Sequence, residues 1–269
     1  MERMDAPREE SLVVVVVEAD PRAWRASEGD GGLQVRAFLQ HLVVCLRALW
    51  LLHVNNRVAV FASVGRNSHF LGEMPMERSV AEEKKESDVQ VLLRRLHEAV
   101  QAAEDVRPSS GFASAFARAL CYVRKARSQG ASQTPRIFFL RLSADENAQY
   151  VSTMNCIFCA QKQKVVVDAC MLGQDDSPFL QQAAYLTGGI YLRLSEPEGL
   201  LQYLMMAFVT DVESRTHLRM PKQRAVDFRA SCFCHRRPID VGHVCSVCLS
   251  IFCESVATCT TCGAAFLEF

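Results

Sequence analysis

The sequence lacks any long hydrophobic run, although 49% of its 269 residues are hydrophobic. Its first strongly apolar run, residues 12–17, is six residues long, and residues 1–11 before it are mostly polar and charged. A run of this length is too short for a signal-peptide core or a membrane span. We therefore expect an intracellular protein whose twelve cysteines stay reduced, as packing thiols or metal ligands.

Net charge and catalytic motifs are also missing. Thirty basic and thirty acidic residues cancel, so no global field draws the chain onto nucleic acid or an anionic membrane. No Ser-His-Asp order, phosphate-binding loop or paired-carboxylate motif can be made out. These absences favour a protein that is not an enzyme, with little or no direct nucleic acid binding and no membrane contact.

The feature around which the chain is organised is the run at 12–17, a leucine followed by five valines. Branched side chains pack well on a pleated surface, so this run predicts a central strand buried on both faces. Further strands are predicted at 57–64, 69–71, 136–142, 165–170 and 189–194, and helices at 33–52, 88–104, 110–127, 147–163, 178–186 and 196–209. Such alternation is typical of an α/β fold, a doubly wound, mostly parallel sheet with helices on both faces.

The chain divides into three parts on composition. Residues 10–210 form the α/β domain, and the periodicity stops over 211–230, which we interpret as a linker. Seven of the twelve cysteines fall in the last part, 231–269. This distribution predicts a small C-terminal zinc-binding module.

Four of those cysteines form two pairs with metal-ligand spacing, Cys245-x2-Cys248 and Cys259-x2-Cys262, separated by ten residues. Two such knuckles are the usual way of holding one tetrahedral Zn²⁺. A second zinc on Cys232, Cys234, His235 and Cys253 is an open alternative. These residues interleave along the chain with the two cysteine pairs, in a crossed order like that of a RING. Because the module has few apolar residues, metal binding should dominate its folding free energy.

The domain at 10–210 resembles von Willebrand A domains. The likeness is carried by the strand and acidic residues at 12–20, by the Pro-Arg-Ile-Phe-Phe-Leu strand at 135–140, and above all by the segment 180–191 with its Thr-Gly-Gly sequence. The resemblance implies a doubly wound sheet of the von Willebrand A type, and it points to the carboxyl end of the first strand as the family's metal site.

In that family a D-x-S-x-S loop holds a metal ion together with a threonine and an aspartate from later loops. Here the loop contains Glu18, Asp20 and Arg22, so both serine positions are lost. One of the serines at 109–110 could replace the threonine, but the strand that should end in an aspartate ends in Leu-Ser, with Asp145 beyond it. We interpret Glu18 and Asp20 as turn and cap residues, with no metal bound.

Taken together, the two parts are similar to one family, the smaller von Willebrand A-like core subunits of general transcription factor IIH (TFIIH). The likeness rests on Ala-Ser-Cys-Phe-Cys-His-Arg at 230–236 and on Val-Cys-Ser-Val-Cys-Leu-Ser-Ile-Phe-Cys at 244–253. It implies a non-catalytic structural subunit of a nuclear assembly that acts in RNA polymerase II initiation and nucleotide excision repair. The implied partners are a second von Willebrand A-like, zinc-bearing subunit and other core subunits, including the helicases, in a hetero-oligomer.

Two rival functions remain at this point. A crossed two-zinc RING would favour a ubiquitin ligase component, and a von Willebrand A domain with a working metal loop would favour an adhesion receptor. The loss of both serine positions from the metal loop argues against the adhesion-receptor hypothesis. Residues 231–269 carry two arginines against three acidic residues, whereas a zinc module that binds nucleic acid is normally basic.

Overall fold

The computed structural model describes residues 10–29, 32–52, 55–74, 88–101, 111–129, 133–146, 149–221, 226, 228–235 and 238–266. Six strands form the main sheet in the order β3-β2-β1-β4-β5-β6. They are β1 (Glu10–Glu18), β2 (Arg57–Val64), β3 (Asn67–Met74), β4 (Gln133–Arg141), β5 (Val166–Met171) and β6 (Tyr191–Arg193). Only β3 pairs antiparallel among these strands. The mostly parallel sheet with β1 at its centre is confirmed.

Helices cover both faces of the sheet, and alternate residues of β1 enter two different cores. The helices are α1 (Pro21–Gly29), α2 (Val35–Leu51), α3 (Asp88–Gln101), α4 (Phe112–Ser128), α5 (Tyr150–Lys162), α6 (Pro178–Thr187) and α7 (Leu200–Tyr203). Val13, Val15 and Val17 pack with α1, α2, α3 and α7, and the alternate residues of β1 pack with α4, α5 and α6. Because both faces are apolar and covered, the β1 sequence is continuously hydrophobic.

Two elements differ from the sequence prediction. The sequence analysis did not predict α1, whose start is marked by Asp20 followed by Pro21 at the first helical position. The helix predicted at 196–209 is irregular, with a 3-10 turn at Pro197–Gly199, the single turn of α7 and a π-helical turn at Leu204–Phe208.

The Thr-Gly-Gly sequence after α6 has a steric explanation. Gly188 ends the helix with φ 72°, a left-handed conformation that glycine adopts without a Cβ penalty. At Gly189, a Cβ atom would lie 1.9 Å from the carbonyl oxygen of Val167. Only glycine lets the chain pass this close to β5 before it enters β6.

Residues 211–230, predicted as a linker, begin as part of the α/β domain. A short 3-10 helix, Ser214–Thr216, brings Arg215 onto the buried Asp168 of β5, with both guanidinium nitrogens donating at 2.9 and 2.7 Å. Arg136 of β4 lies 3.4 Å from the same carboxylate. Burial lowers the pKa of Arg136, and the nearby Asp168 opposes that effect. The carboxylate needs these cations because an unpaired buried charge is costly.

The C-terminal part of the chain, described at 228–235 and 238–266, contains two two-stranded sheets. They are formed by β7 (Ala230–Ser231) with β8 (Pro238–Ile239), and by β9 (His243–Val244) with β10 (Ile251–Phe252). Its small core consists of Phe252 packed with Cys245 and Cys259.

Among the described residues, no helix has the length and apolarity that crossing a membrane requires.

Candidate metal centres and docking surfaces

The loop after β1, where von Willebrand A domains bind metal, is closed by internal hydrogen bonds. The carboxylate of Glu18 is buried and accepts from the backbone N–H groups of Leu142 and Ser143, both at 2.8 Å, and from the Ser143 hydroxyl at 2.6 Å. The expectation that Glu18 is a turn or cap residue is wrong, because it joins β1 to the chain after β4. Asp20 is a cap, as expected, since its Oδ1 accepts from the backbone N–H of Arg22 at 2.9 Å.

Asp145, the acidic residue beyond β4, is occupied in the same way. Its carboxylate accepts from Arg141 at 2.5 Å, from the Ser177 hydroxyl at 2.7 Å and from the backbone N–H of Phe179 at 2.8 Å. It thus stabilises the N-terminus of α6, where a negative charge is favourable. The serines at 109–110 lie outside the described residues. Both carboxylates, of Glu18 and of Asp145, are therefore engaged by hydrogen bonds within the α/β domain.

The structure brings Cys245, Cys248, Cys259 and Cys262 together, with all four sulfur atoms within 4.8 Å of one another. Two sulfur–sulfur distances are 3.7 Å, for Cys245 to Cys262, and 3.6 Å, for Cys248 to Cys259. Four sulfurs placed about 2.3 Å from one tetrahedral ion would lie about 3.8 Å apart. We call this set the second cluster, because its first ligand comes later in the chain than that of the set described next.

A first cluster forms from Cys232, Cys234, His235 and Cys253, again with all ligand atoms within 4.8 Å. Cys253 Sγ lies 3.3 Å from Cys234 Sγ and 3.1 Å from His235 Nδ1. The chain therefore visits the first cluster, the second, the first and the second again. The structure thus groups the eight residues named in the sequence analysis into two sets of four.

The two knuckles of the second cluster have the same backbone geometry. Leu249 N–H donates to Cys245 O at 3.0 Å and Gly263 N–H donates to Cys259 O at 2.8 Å. Both residues have positive φ, 60° for Leu249 and 76° for Gly263. Since a left-handed backbone favours glycine, Leu249 is strained where the equivalent residue is not.

The donor chemistry of both clusters fits a bound metal ion. All described cysteines are free thiols. Within the clusters, hydrogen bonds shift the pKa in both directions. The contact with Ser250, whose Oγ lies 3.1 Å from Cys248 Sγ, lowers the pKa of Cys248 to about 6, whereas the contact with Cys234 raises the pKa of Cys253 to about 11. By contrast, burial raises the pKa of Cys170, in the α/β core, to about 12. Thiolate sulfur with imidazole nitrogen is a donor set for zinc or a similar ion.

The first knuckle of the second cluster and the residues just before it expose four apolar side chains. Val241, Val244, Val247 and Leu249 are all exposed, Leu249 to 56% and Val247 to 69%. We call these four residues the knuckle patch. No Asp, Glu, Lys or Arg occurs between positions 241 and 253 in the sequence.

The module also touches the α/β domain, which sequence reasoning did not anticipate. The rings of Phe233 and Tyr150 have centroids 6.1 Å apart, and those of Phe228 and Tyr185 are 5.2 Å apart. Isolated aromatic residues carry no periodic or spacing signal, so the sequence could not have paired them.

These features define a class of protein: a von Willebrand A-like domain with a degenerate metal loop, followed by a cysteine-rich module that could hold metal ions. Among solved structures, one titled the TFIIH p34 N-terminal domain is 27% identical, with a TM-score of 0.62, and the match covers 74% of this chain and 98% of that one. A von Willebrand factor type A from Catenulispora acidiphila, 15% identical with a TM-score of 0.52 over 75% of this chain and 43% of that one, shows the same fold.

The sequence model of the family described as transcription factor Tfb4 matches residues 10–263. General transcription and DNA repair factor IIH subunit tfb4 of Schizosaccharomyces pombe is 39% identical over 97% of this chain and 91% of its own length. The Arabidopsis thaliana subunit TFB4 is 37% identical over 95% and 89%. The chain belongs to the transcription factor Tfb4 family, whose curated relatives carry the names of TFIIH subunits, and the family resemblance stated from the sequence is confirmed.

Proposed function

We propose that the chain is a non-catalytic structural subunit of the TFIIH core complex, located in the nucleus and acting in RNA polymerase II initiation and nucleotide excision repair. The names of the curated relatives support membership of this assembly and a role in transcription and DNA repair. The observation that carries the non-catalytic role is Glu18, whose carboxylate is consumed by Leu142 and Ser143 at the very edge where this fold places its ligands. The chain would therefore act through the surfaces with which it binds other subunits.

The two clusters would each hold one zinc ion, the second cluster through four thiolates and the first through three thiolates and His235. The sulfur–sulfur distances of 3.3 to 3.7 Å support closed, four-ligand sites with no open position, which are structural rather than catalytic. When bound, zinc supplies crosslinks that replace the hydrophobic core this module is too small to build. The residues of the chain supply the surface around it.

The α/β domain would bind the second von Willebrand A-like, zinc-bearing subunit. Large apolar side chains are exposed on both helical faces, Leu51 at the end of α2 to 72% on one side and Phe158 of α5 to 52% on the other. Exposed apolar groups of this size are typical of binding sites when they lie in contiguous patches. The knuckle patch on the C-terminal module offers a further contact.

The binding proposal is tested with the full chain and the purified partner subunit by calorimetry at micromolar concentration. Phe158→Glu and Leu51→Glu are matched variants, one on each face, and we expect one of them to weaken binding at least tenfold while the other has little effect. Removing residues 231–269 should weaken incorporation into the complex without abolishing pairwise binding. Unchanged affinity in both glutamate variants would contradict docking through these helical faces.

The interleaved order of the clusters is the one observation that favours a RING-type ubiquitin ligase. An autoubiquitination assay with the purified chain separates the two functions. We expect no ubiquitin transfer, because a structural subunit needs a surface and not a conjugating-enzyme partner. Chain formation that is lost in Cys248→Ser would overturn the proposal.

A further inference from the structure

Two aromatic ring pairs among the described residues join the C-terminal module, and the chain just before it, to the α/β domain. Phe233 meets Tyr150, the first residue of α5, nearly edge-on, with an interplanar angle of 87°. Tyr150 packs in turn on the buried Phe179 of α6 at 5.8 Å. Phe228, just before the module, meets Tyr185 of α6 at 66°. Tilted and edge-to-face pairs at these distances are favourable arrangements of two aromatic rings.

Phe233 belongs to the first cluster by its position in the chain. It lies between the ligands Cys232 and Cys234, and its backbone N–H donates to Ile251 O at 2.8 Å, two residues before the ligand Cys253. These two chain segments are the ones that the first cluster joins. The position of the Phe233 ring therefore depends on the first cluster being assembled.

We propose that the first cluster is a docking element: the metal ion that it holds fixes Phe233 against Tyr150, and this contact keeps the module on the α5–α6 face of the domain. The inference rests on the metal binding proposed above, but not on membership of any assembly. The second cluster then has a different task, which is to fold and present the knuckle patch.

The short connecting chain favours docking of the module on the α/β domain. Arg215 is held on Asp168 by two hydrogen bonds, and Phe228 lies on Tyr185, so both ends of the connection are fixed to the domain. A short connection gives the module a high effective concentration at its docking site. Two ring pairs can then hold it in one position.

Trypsin cleavage of the full-length protein after Arg229, the residue next to Phe228, reports this docking, since a protease needs a stretch of released chain. Cys234→Ser and Cys262→Ser are matched variants, because each removes one exposed ligand, from the first and second cluster respectively. Elemental analysis should show a loss of zinc in both. We expect cleavage about tenfold faster in Cys234→Ser. The acceleration should be clearly smaller in Cys262→Ser, which leaves the first cluster intact but disturbs the core of Cys245, Phe252 and Cys259 on which Phe233 also packs.

Tyr150→Ser removes the docking partner without touching the module. It should retain all of its zinc and yet be cleaved as fast as Cys234→Ser. A cleavage rate equal to that of the unmutated protein in Tyr150→Ser would overturn the proposal, as would equal acceleration in the two cysteine variants. Absence of zinc from the unmutated protein would overturn the metal binding itself, and the Tyr150→Ser rate would still show whether the module docks.

Discussion

Glu18 accepts two hydrogen bonds from Ser143, one from its backbone N–H at 2.8 Å and one from its hydroxyl at 2.6 Å, although 125 positions separate the two residues. The pair joins β1 to the end of β4 at the edge of the sheet where a von Willebrand A domain would bind its metal. The Glu18 carboxylate thus has a structural role in joining these two strands.

The first prediction concerns Glu18. Glu18→Ala leaves the donors of Leu142 and Ser143 without their acceptor, so the free energy of unfolding should fall by about 3 kcal/mol. Glu18→Gln keeps an acceptor oxygen and should lose less than half of that. Urea denaturation with and without magnesium checks both points. A stabilising effect of magnesium that disappears in Glu18→Ala would show that the loop binds metal after all.

The second prediction concerns the buried ion cluster of β4 and β5. Asp168→Ala would leave Arg136 and Arg215 buried without their counter-charge, and should cost about 4 kcal/mol of stability. Arg215→Met removes one cation and leaves Arg136 paired with Asp168, so it should cost clearly less. Thermal and urea unfolding of the two variants rank them. The reverse order would mean that the cluster is not held together by its charges.

The third prediction concerns metal content. Purified protein should hold two zinc ions per chain, and Cys248→Ser should release at least one while the α/β domain, with its own cores, remains folded. Cys121→Ser, a change in an exposed cysteine of α4, serves as the control and should keep both ions. Elemental analysis with circular dichroism makes the measurement. Freshly purified protein without zinc would contradict the assignment of both clusters.

The fourth prediction is a loss of stability at alkaline pH. Burial raises the pKa of Cys45 and of Cys170 from 9.0 to about 12. Above pH 9 the unfolded thiols lose protons that the folded ones keep, so stability falls as pH rises through this window, by about 1.4 kcal/mol per pH unit and thiol.

Cys170→Ala should reduce that alkaline slope by one thiol's share. Urea unfolding at several pH values between about 8 and 11 measures the slope. Identical slopes in the variant and the unmutated protein would contradict the buried, protonated state of Cys170. Near neutral pH the free energy of unfolding should change little with pH on account of this thiol, since it is protonated in both the folded and the unfolded state.

The fifth prediction concerns Leu249. Its backbone has φ 60°, so Leu249→Gly should relieve strain and stabilise the module by up to about 1 kcal/mol. The same change removes the most strained member of the knuckle patch and should weaken incorporation into the complex. Thermal unfolding and reconstitution with the other subunits measure the two effects. A glycine variant that assembles normally would mean that Leu249 is not kept for binding.

Much of this molecule follows from its sequence. The valine run specifies β1 because a continuous β-branched segment is stable only where both faces of a strand are covered. The alternation of apolar periods specifies the mostly parallel sheet, and the spacing of Cys245, Cys248, Cys259 and Cys262 brings those ligands together in two knuckles. All of these are local patterns, encoded within a few residues by the geometry of a strand, a helix or a metal-binding turn.

Tertiary structure decided the rest. Whether Glu18 is a metal ligand or a crosslink depends on Ser143, which only the pairing of β1 with β4 brings near. The start of the predicted linker packs on the domain because the buried charge of Asp168 binds Arg215. The position of the module depends on the contact of Phe233 with Tyr150. A buried charge or an aromatic ring has no periodicity, so its partner is fixed by how distant segments cross in space and cannot be derived from the neighbouring sequence.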